Sequence, residues 1–321
     1  MLEQKLFIKE DCQKVAIVGL GGIGKTQVAL HFAYSVLDKH PNVSVFWVPA
    51  LSLNAFEQSY REIAMVLGIE ITTDGKEDVK ELVRRRLSSD VAGKWLLVVD
   101  NADDKGVLEG TDVRDGLLEH LPESDSGLTV FTTRSSEVAQ SLVGSDVVEL
   151  DKMTEAEAVD VMRQALVRKE VIHNTTSTTE LLAELDYLPL AIIQATAYIN
   201  RNKISLSRYL ALLKGTEQDV VDVMSAEIRD STRYKQAANA VATTWLVSFQ
   251  QILQQDAEAA DLLQYMACIE WKAIPHSILP AVQPAARMTR AIGTLCSYSF
   301  IAKRDGQEQY DMHRLVHVAV R

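Results

Sequence analysis

Residues 19–26 read Gly19-Leu20-Gly21-Gly22-Ile23-Gly24-Lys25-Thr26, a complete match to G-x-x-x-x-G-K-[S/T]. The apolar run Lys14-Val15-Ala16-Ile17-Val18 precedes it, and Val28, Ala29, Phe32, Val36 and Leu37 follow at helical spacing. A strand that turns through such a loop into a helix restricts the fold sharply, because the loop then belongs at the carboxyl end of a buried parallel strand. The glycines let successive backbone N–H groups face one point, where together with the helix N-terminus they hold phosphate oxygens. Lys25 is expected to reach the β and γ oxygens and Thr26 to ligate Mg²⁺. The candidate nucleotide-binding set is therefore Gly19, Gly21, Gly22, Ile23, Gly24, Lys25, Thr26 and Gln27.

The first 150 residues alternate short β-branched runs with helical patterns, which predicts a parallel sheet covered by helices. Strands are expected at 14–18, 44–49, 94–99, 128–133 and 146–150, and five strands make one nucleotide-binding domain over 1–150. The run Trp95-Leu96-Leu97-Val98-Val99 is apolar enough for a central strand and ends in Asp100, the candidate acid for the metal. Asp103 and Asp104 follow, and either could polarise a water; spacing does not choose between them. The strand at 128–133 leads into Arg134, which could stabilise charge on a γ-phosphate. Asp103-Asp104-Lys105-Gly106 matches a guanine-type D-x-x-G, but Asn202-Lys203-Ile204-Ser205 carries Ser205 where N-K-x-D needs its acid, so GTP is discounted.

After Leu150 helices take over. Thr154-Glu155-Ala156-Glu157 reads as a capping box, and Pro189 suits the first turn of a further helix through Ala191, Ile192, Ala195 and Ile199. Residues 216–235 are polar and read as a connecting segment. Helical patterns at 242–253 and 257–267 lead to short apolar runs around 300–302 and 310–312, separated by Asp305-Gly306, an order compatible with a winged helix.

The balance of 33 Lys+Arg against 44 Asp+Glu, a net charge of −11, argues against nucleic acid, and residues 240–271 contain no Lys or Arg. Three scattered cysteines suit a reducing compartment, with the cytoplasm as the expected location. The longest charge-free stretch, 236–255, is too rich in Gln, Asn, Thr and Ser to span a membrane. His31, His40, His120, His173 and His276 lack metal-ligand spacing, and Arg84-Arg85-Arg86 reads as a solvated helix face. His313 and His317 stand four apart without an evident third ligand.

In this order, the motifs resemble the NB-ARC domain of the STAND class of signal-transduction ATPases, relatives of plant disease-resistance proteins and apoptotic protease-activating factors. Residues 19–26 resemble its Walker A, Leu96 to Asp100 its Walker B, and Leu128 to Arg134 its sensor strand. Leu188-Pro189-Leu190-Ala191 is similar to "GLPLA", with Tyr187 in place of Gly, and Met312-His313-Arg314 to "MHD". Phrases such as "VVDNADD" and "MHRLVHVAVR" resemble fungal NB-ARC proteins that carry tetratricopeptide repeats. The resemblance implies an α/β P-loop NTPase domain followed by a helical domain over 151–215 and a winged-helix domain over 236–321. It implies ADP enclosed with Pro189 at the base and His313 at the β-phosphate, and exchange for ATP that permits self-oligomerisation.

Three departures qualify those expectations. Asn101 stands where many family members carry a second Asp, so a weak, slow ATPase is expected. Arg314 replaces the Asp of "MHD". The upstream Gly-Arg-Glu motif is absent, so the chain is expected to be a fragment lacking an N-terminal effector and C-terminal repeats. Two other readings stay open: a STAND-class transcription regulator that uses its winged helix on DNA, and a plain P-loop NTPase or kinase.

Overall fold

The computed structural model describes residues 2–8, 13–70, 78–111, 114–168, 175–214, 249–250, 252–269, 271–280, 283–298, 300–304, 308–312, 316–317 and 320. The chain forms two units. One comprises Met1–Gly19 with Lys25–Leu150, and the other comprises Leu20–Gly24 with Asp151–Arg321.

In the first unit, β1 (Lys14–Val18), β2 (Val43–Pro49), β3 (Lys94–Asp100), β4 (Gly127–Thr133) and β5 (Val147–Glu149) form a five-stranded sheet in the order β2-β3-β4-β1-β5. Every pairing is parallel. Both faces are covered, so the strands read as continuous apolar runs, and the two-residue side-chain period sorts them. Ala16, Val18, Leu97, Val99 and Phe131 share one buried cluster with Phe56, Tyr60, Val83 and Val138. Val15, Ile17, Leu96, Val98 and Val130 share the other with Ala29, Phe32 and Val36. The helices that supply those partners are α1 (Lys25–Lys39) on one face, and α2 (Leu53–Val66), α3 (Val79–Leu87) and α5 (Ser136–Val143) on the other; α4 (Lys105–Glu109) is a single short turn. On α3 the inward residues are Val79, Val83 and Leu87. Arg84 and Arg85 both bind Glu81, which drives its carboxyl down to about 2.

His120 departs from the rule that buried polar atoms are paired. The residue is 7% exposed, and neither ring nitrogen finds a hydrogen-bond partner among the described residues. Burial lowers its pKa, and the nearby Lys80 ammonium adds to that against the opposing pull of Asp78, Asp115 and Glu119. A histidine held neutral in the fold is protonated more readily when unfolded, so stability is expected to fall as pH drops below the ordinary value near 6.5. His120→Leu should gain about 1 kcal/mol at neutral pH and flatten that acid-side loss, measured as urea unfolding at pH 5.5 and 7.5.

The second unit begins with four helices, α6 (Glu155–Ala165), α7 (Thr175–Glu184), α8 (Pro189–Asn202) and α9 (Leu206–Leu213). The expected capping box opens α6, with Thr154 N–H donating to Glu157 and Glu157 N–H donating to Thr154 Oγ1. Pro189 occupies the first turn of α8 as its chemistry favours. Between α7 and α8 the chain reverses: Tyr187 N–H donates to Leu182 O and Asp186 N–H to Ala183 O, while both residues take left-handed φ values of 55° and 51°. Tyr187 thus bears a conformational cost that a glycine would avoid. The Asn202-Lys203-Ile204-Ser205 run is the turn between helices: Lys203 ends α8 in left-handed conformation and Ser205 caps α9.

Helices α10 (Ala257–Ala267) and α11 (Ala285–Ser297) follow, with β6 (Ile274–Pro275), β7 (Ile301–Lys303) and β8 (Gln309–Met312) forming an antiparallel sheet in the order β6-β8-β7. The buried Asp256 carboxylate fixes α10 to α11, accepting from Ala259 N–H and Thr294 Oγ1. The connecting segment 216–235, most of the helical pattern at 242–253 and the turn at Asp305-Gly306 lie outside the described residues. No described helix is long and apolar enough to cross a membrane.

Candidate functional site

Strand register brings the site residues of the first unit together. Val18 lies opposite Thr133, so the chain leaves β1 into Gly19 at the level where it leaves β4 into Arg134. Val99 lies opposite Phe131, which sets Asp100 beside Thr132. All three exits are at the carboxyl edge of the sheet, the edge where open α/β sheets receive ligands.

Lys25 opens α1 and is largely buried; its ammonium donates to Gly19 O at 2.8 Å, across the loop it closes. Thr26 Oγ1 donates to Asp100 Oδ1 at 2.9 Å. Asp100 is fully buried at the end of β3. Its carboxylate also accepts from Thr132 Oγ1 at 2.5 Å and from the Asn101 side-chain amide at 3.2 Å. Thr132 Oγ1 in turn accepts from Asn101 N–H at 2.9 Å, so one hydroxyl fixes both the acid and the turn after it.

The two remaining aspartates have distinct tasks. Asp104 caps the short α4, accepting from Gly106 and Val107 N–H. Asp103, 5% exposed, accepts from Thr133 Oγ1 at 3.1 Å and Arg134 N–H at 2.7 Å, and pairs with Arg134 Nε at 3.2 Å.

The loop tip, Leu20–Gly24, is grouped with the second unit, where residues of α8 meet it. Leu190 N–H donates to Gly22 O at 3.2 Å. A Cβ on Gly22 would lie 3.1 Å from Leu190 Cβ, and one on Gly24 would lie 3.9 Å from Pro189 Cγ. Gly22 and Gly24 both hold left-handed φ values, 87° and 104°. Proline 189 thus stands at the loop, as do Gly21 and Ile23 by position, and Gln27 is exposed on the first turn of α1.

Residues 1–172 match the NB-ARC domain family. The chain belongs to the NB-ARC family. It is 38% identical over 325 residues to a fungal nucleotide-binding leucine-rich repeat (NLR)-like protein of Hyaloscypha variabilis, covering 98% of this chain and 32% of that protein. It is 25% identical over 258 residues to regulatory protein AfsR of Streptomyces coelicolor, covering 77% of this chain and 23% of that one. A solved structure, a signal transduction ATPase with numerous domains and a tetratricopeptide repeat sensor from Pyrococcus horikoshii, is 16% identical with a TM-score of 0.38, covering 99% of this chain and 42% of that one. The chain spans about a third or less of the length of these curated relatives.

For this NB-ARC chain, the donor set suits Mg²⁺. Thr26 Oγ1 and Asp100 Oδ1 are hard oxygens 2.9 Å apart, and Mg²⁺ takes one or two protein oxygens and fills its shell with phosphate and water. Among the described residues no group of three or more His, Cys, Asp or Glu could hold a metal. His313 and Arg314, the "MHD" positions, lie outside the described residues. His317 Nε2 lies 2.8 Å from Ile269 O.

Thr132 is the residue sequence reasoning overlooked. The signal was a hydroxyl at the end of the strand beside Asp100, but only register shows which of Thr132 and Thr133 faces it. Thr132→Val keeps the shape, removes a donor from a buried carboxylate and strips Asn101 N–H of its acceptor. The expected cost is about 2–3 kcal/mol in chemical denaturation.

Proposed function

We propose that the chain is an ADP/ATP-operated switch of NLR-type signalling, in which the nucleotide's identity matters more than its turnover. The observation that carries this reading is the Thr26–Asp100 hydrogen bond beside a loop closed by Lys25, in a chain of the NB-ARC family. Lys25 and the loop N–H groups would hold phosphates, and Thr26 and Asp100 would hold Mg²⁺, which would neutralise phosphate charge. Arg134 would meet a γ-phosphate.

Slow hydrolysis follows from the acid edge. Asp104 Oδ1 caps a helix, whereas both oxygens of Asp103 are engaged by Thr133 and Arg134, which makes Asp103 the less available of the two to an attacking water. Beyond residue 150 we read a helical domain over 151–215, a connecting segment over 216–235 and a winged-helix domain over 236–321. The antiparallel sheet β6-β8-β7 with α10 and α11 supports the last of these. ATP loading then permits self-oligomerisation in the cytoplasm, with effector and repeat domains flanking this segment. Steady-state ATP turnover separates the switch from a plain NTPase: a rate below about one per minute is expected, and brisk turnover without assembly would contradict it.

A further inference from the structure

We propose that Asp103 is an internal counter-ion that a γ-phosphate must compete with, and that it sets the preference for ADP over ATP. The inference rests on the reading of a nucleotide switch above and assigns a task within it to a residue with no place in the phosphate-binding motifs.

Asp103 is held from three directions. Its Oδ1 accepts from Thr133 Oγ1 and Arg134 N–H, and its Oδ2 faces Arg134 Nε at 3.2 Å. Both side chains of the pair are shielded, at 15% exposure for Arg134 and 8% for Asp103. A shielded ion pair is screened little by salt, so while it stands Asp103 compensates most of the positive charge that Arg134 could otherwise offer a bound anion.

The placement gives that charge a target. Arg134 leaves β4 level with the exit of β1 into the phosphate-binding loop, because Val18 lies opposite Thr133. The diphosphate of ADP needs only the loop and Lys25, so ADP leaves the Asp103–Arg134 pair intact. ATP adds a terminal phosphate that draws on Arg134 while Asp103 repels it. The carboxylate therefore positions the arginine and at the same time makes its engagement costly. Asp103 is a positioning and discriminating residue; it need not touch nucleotide.

The test is the ratio of the ATP and ADP dissociation constants, Kd(ATP)/Kd(ADP), measured by equilibrium titration in the presence of Mg²⁺. Asp103→Asn retains an acceptor for Thr133 and Arg134 N–H but removes the charge, and Asp103→Ser does so with a smaller side chain, in case the amide disturbs folding. Either neutral variant that unfolds cooperatively is expected to lower the ratio about tenfold. Asp103→Glu, which keeps the charge, should stay within about twofold of the original ratio, whereas a purely structural role would weaken both nucleotides together and leave the ratio unchanged. An unchanged ratio in the neutral variants, or an equal shift in Asp103→Glu, overturns the inference. Failure of the unaltered chain to bind either nucleotide would instead overturn the switch reading beneath it.

Discussion

Lys25→Ala is expected to weaken adenine-nucleotide binding by at least about a hundredfold, because phosphate charge loses its nearest cation. In the structure the ammonium is already held over the loop by Gly19 O, so it meets an incoming phosphate without first being ordered. The fold should survive. Lys25 contributes little to the apolar clusters, whereas neighbours such as Ala29 and Phe32 build one of them. Titration with ADP, together with a thermal unfolding curve, separates these outcomes. Undiminished affinity in a well-folded variant would remove the loop from the site.

Gly22→Val should be the most damaging single change at the loop tip. A β-branched residue is forced to φ near 87°, a conformation costing about 1–2 kcal/mol, and its Cβ meets Leu190 Cβ at 3.1 Å. Overpacking adds about 1–3 kcal/mol, and moving α8 away to relieve it would stretch the Leu190 N–H to Gly22 O bond. We expect a loss of about 2–5 kcal/mol in denaturant unfolding, with the first turn of α8 losing hydrogen-exchange protection. Gly21→Ala offers the comparison at a neighbouring loop glycine without a positive φ. A Gly22→Val variant as stable as the original would mean that α8 does not rest on the loop.

What could be read from the sequence was whatever is local along the chain. Alternating apolar runs fixed the five strands to within a residue or two, because each is buried on both faces and little else tolerates such composition. The α6 capping box and Pro189 were legible because caps satisfy groups within one turn. Asp100 was legible as the acid ending the most apolar strand. The partners of that acid were not, since Thr132 reaches Asp100 across 32 positions through a register that no spacing encodes. Asp103 and Asp104 looked interchangeable as sequence and differ only through what lies opposite each: Arg134 for one, an open helix N-terminus for the other. Strand β6 escaped notice because two residues are too short to show alternation.

The most direct measurement is the nucleotide that the purified chain carries. Heat-released ligand identified by mass spectrometry should be ADP, approaching one per chain, and Lys25→Ala should carry none. Absence of adenine nucleotide from the original chain, combined with no binding of added ADP or ATP in the presence of Mg²⁺, would contradict the account of this site.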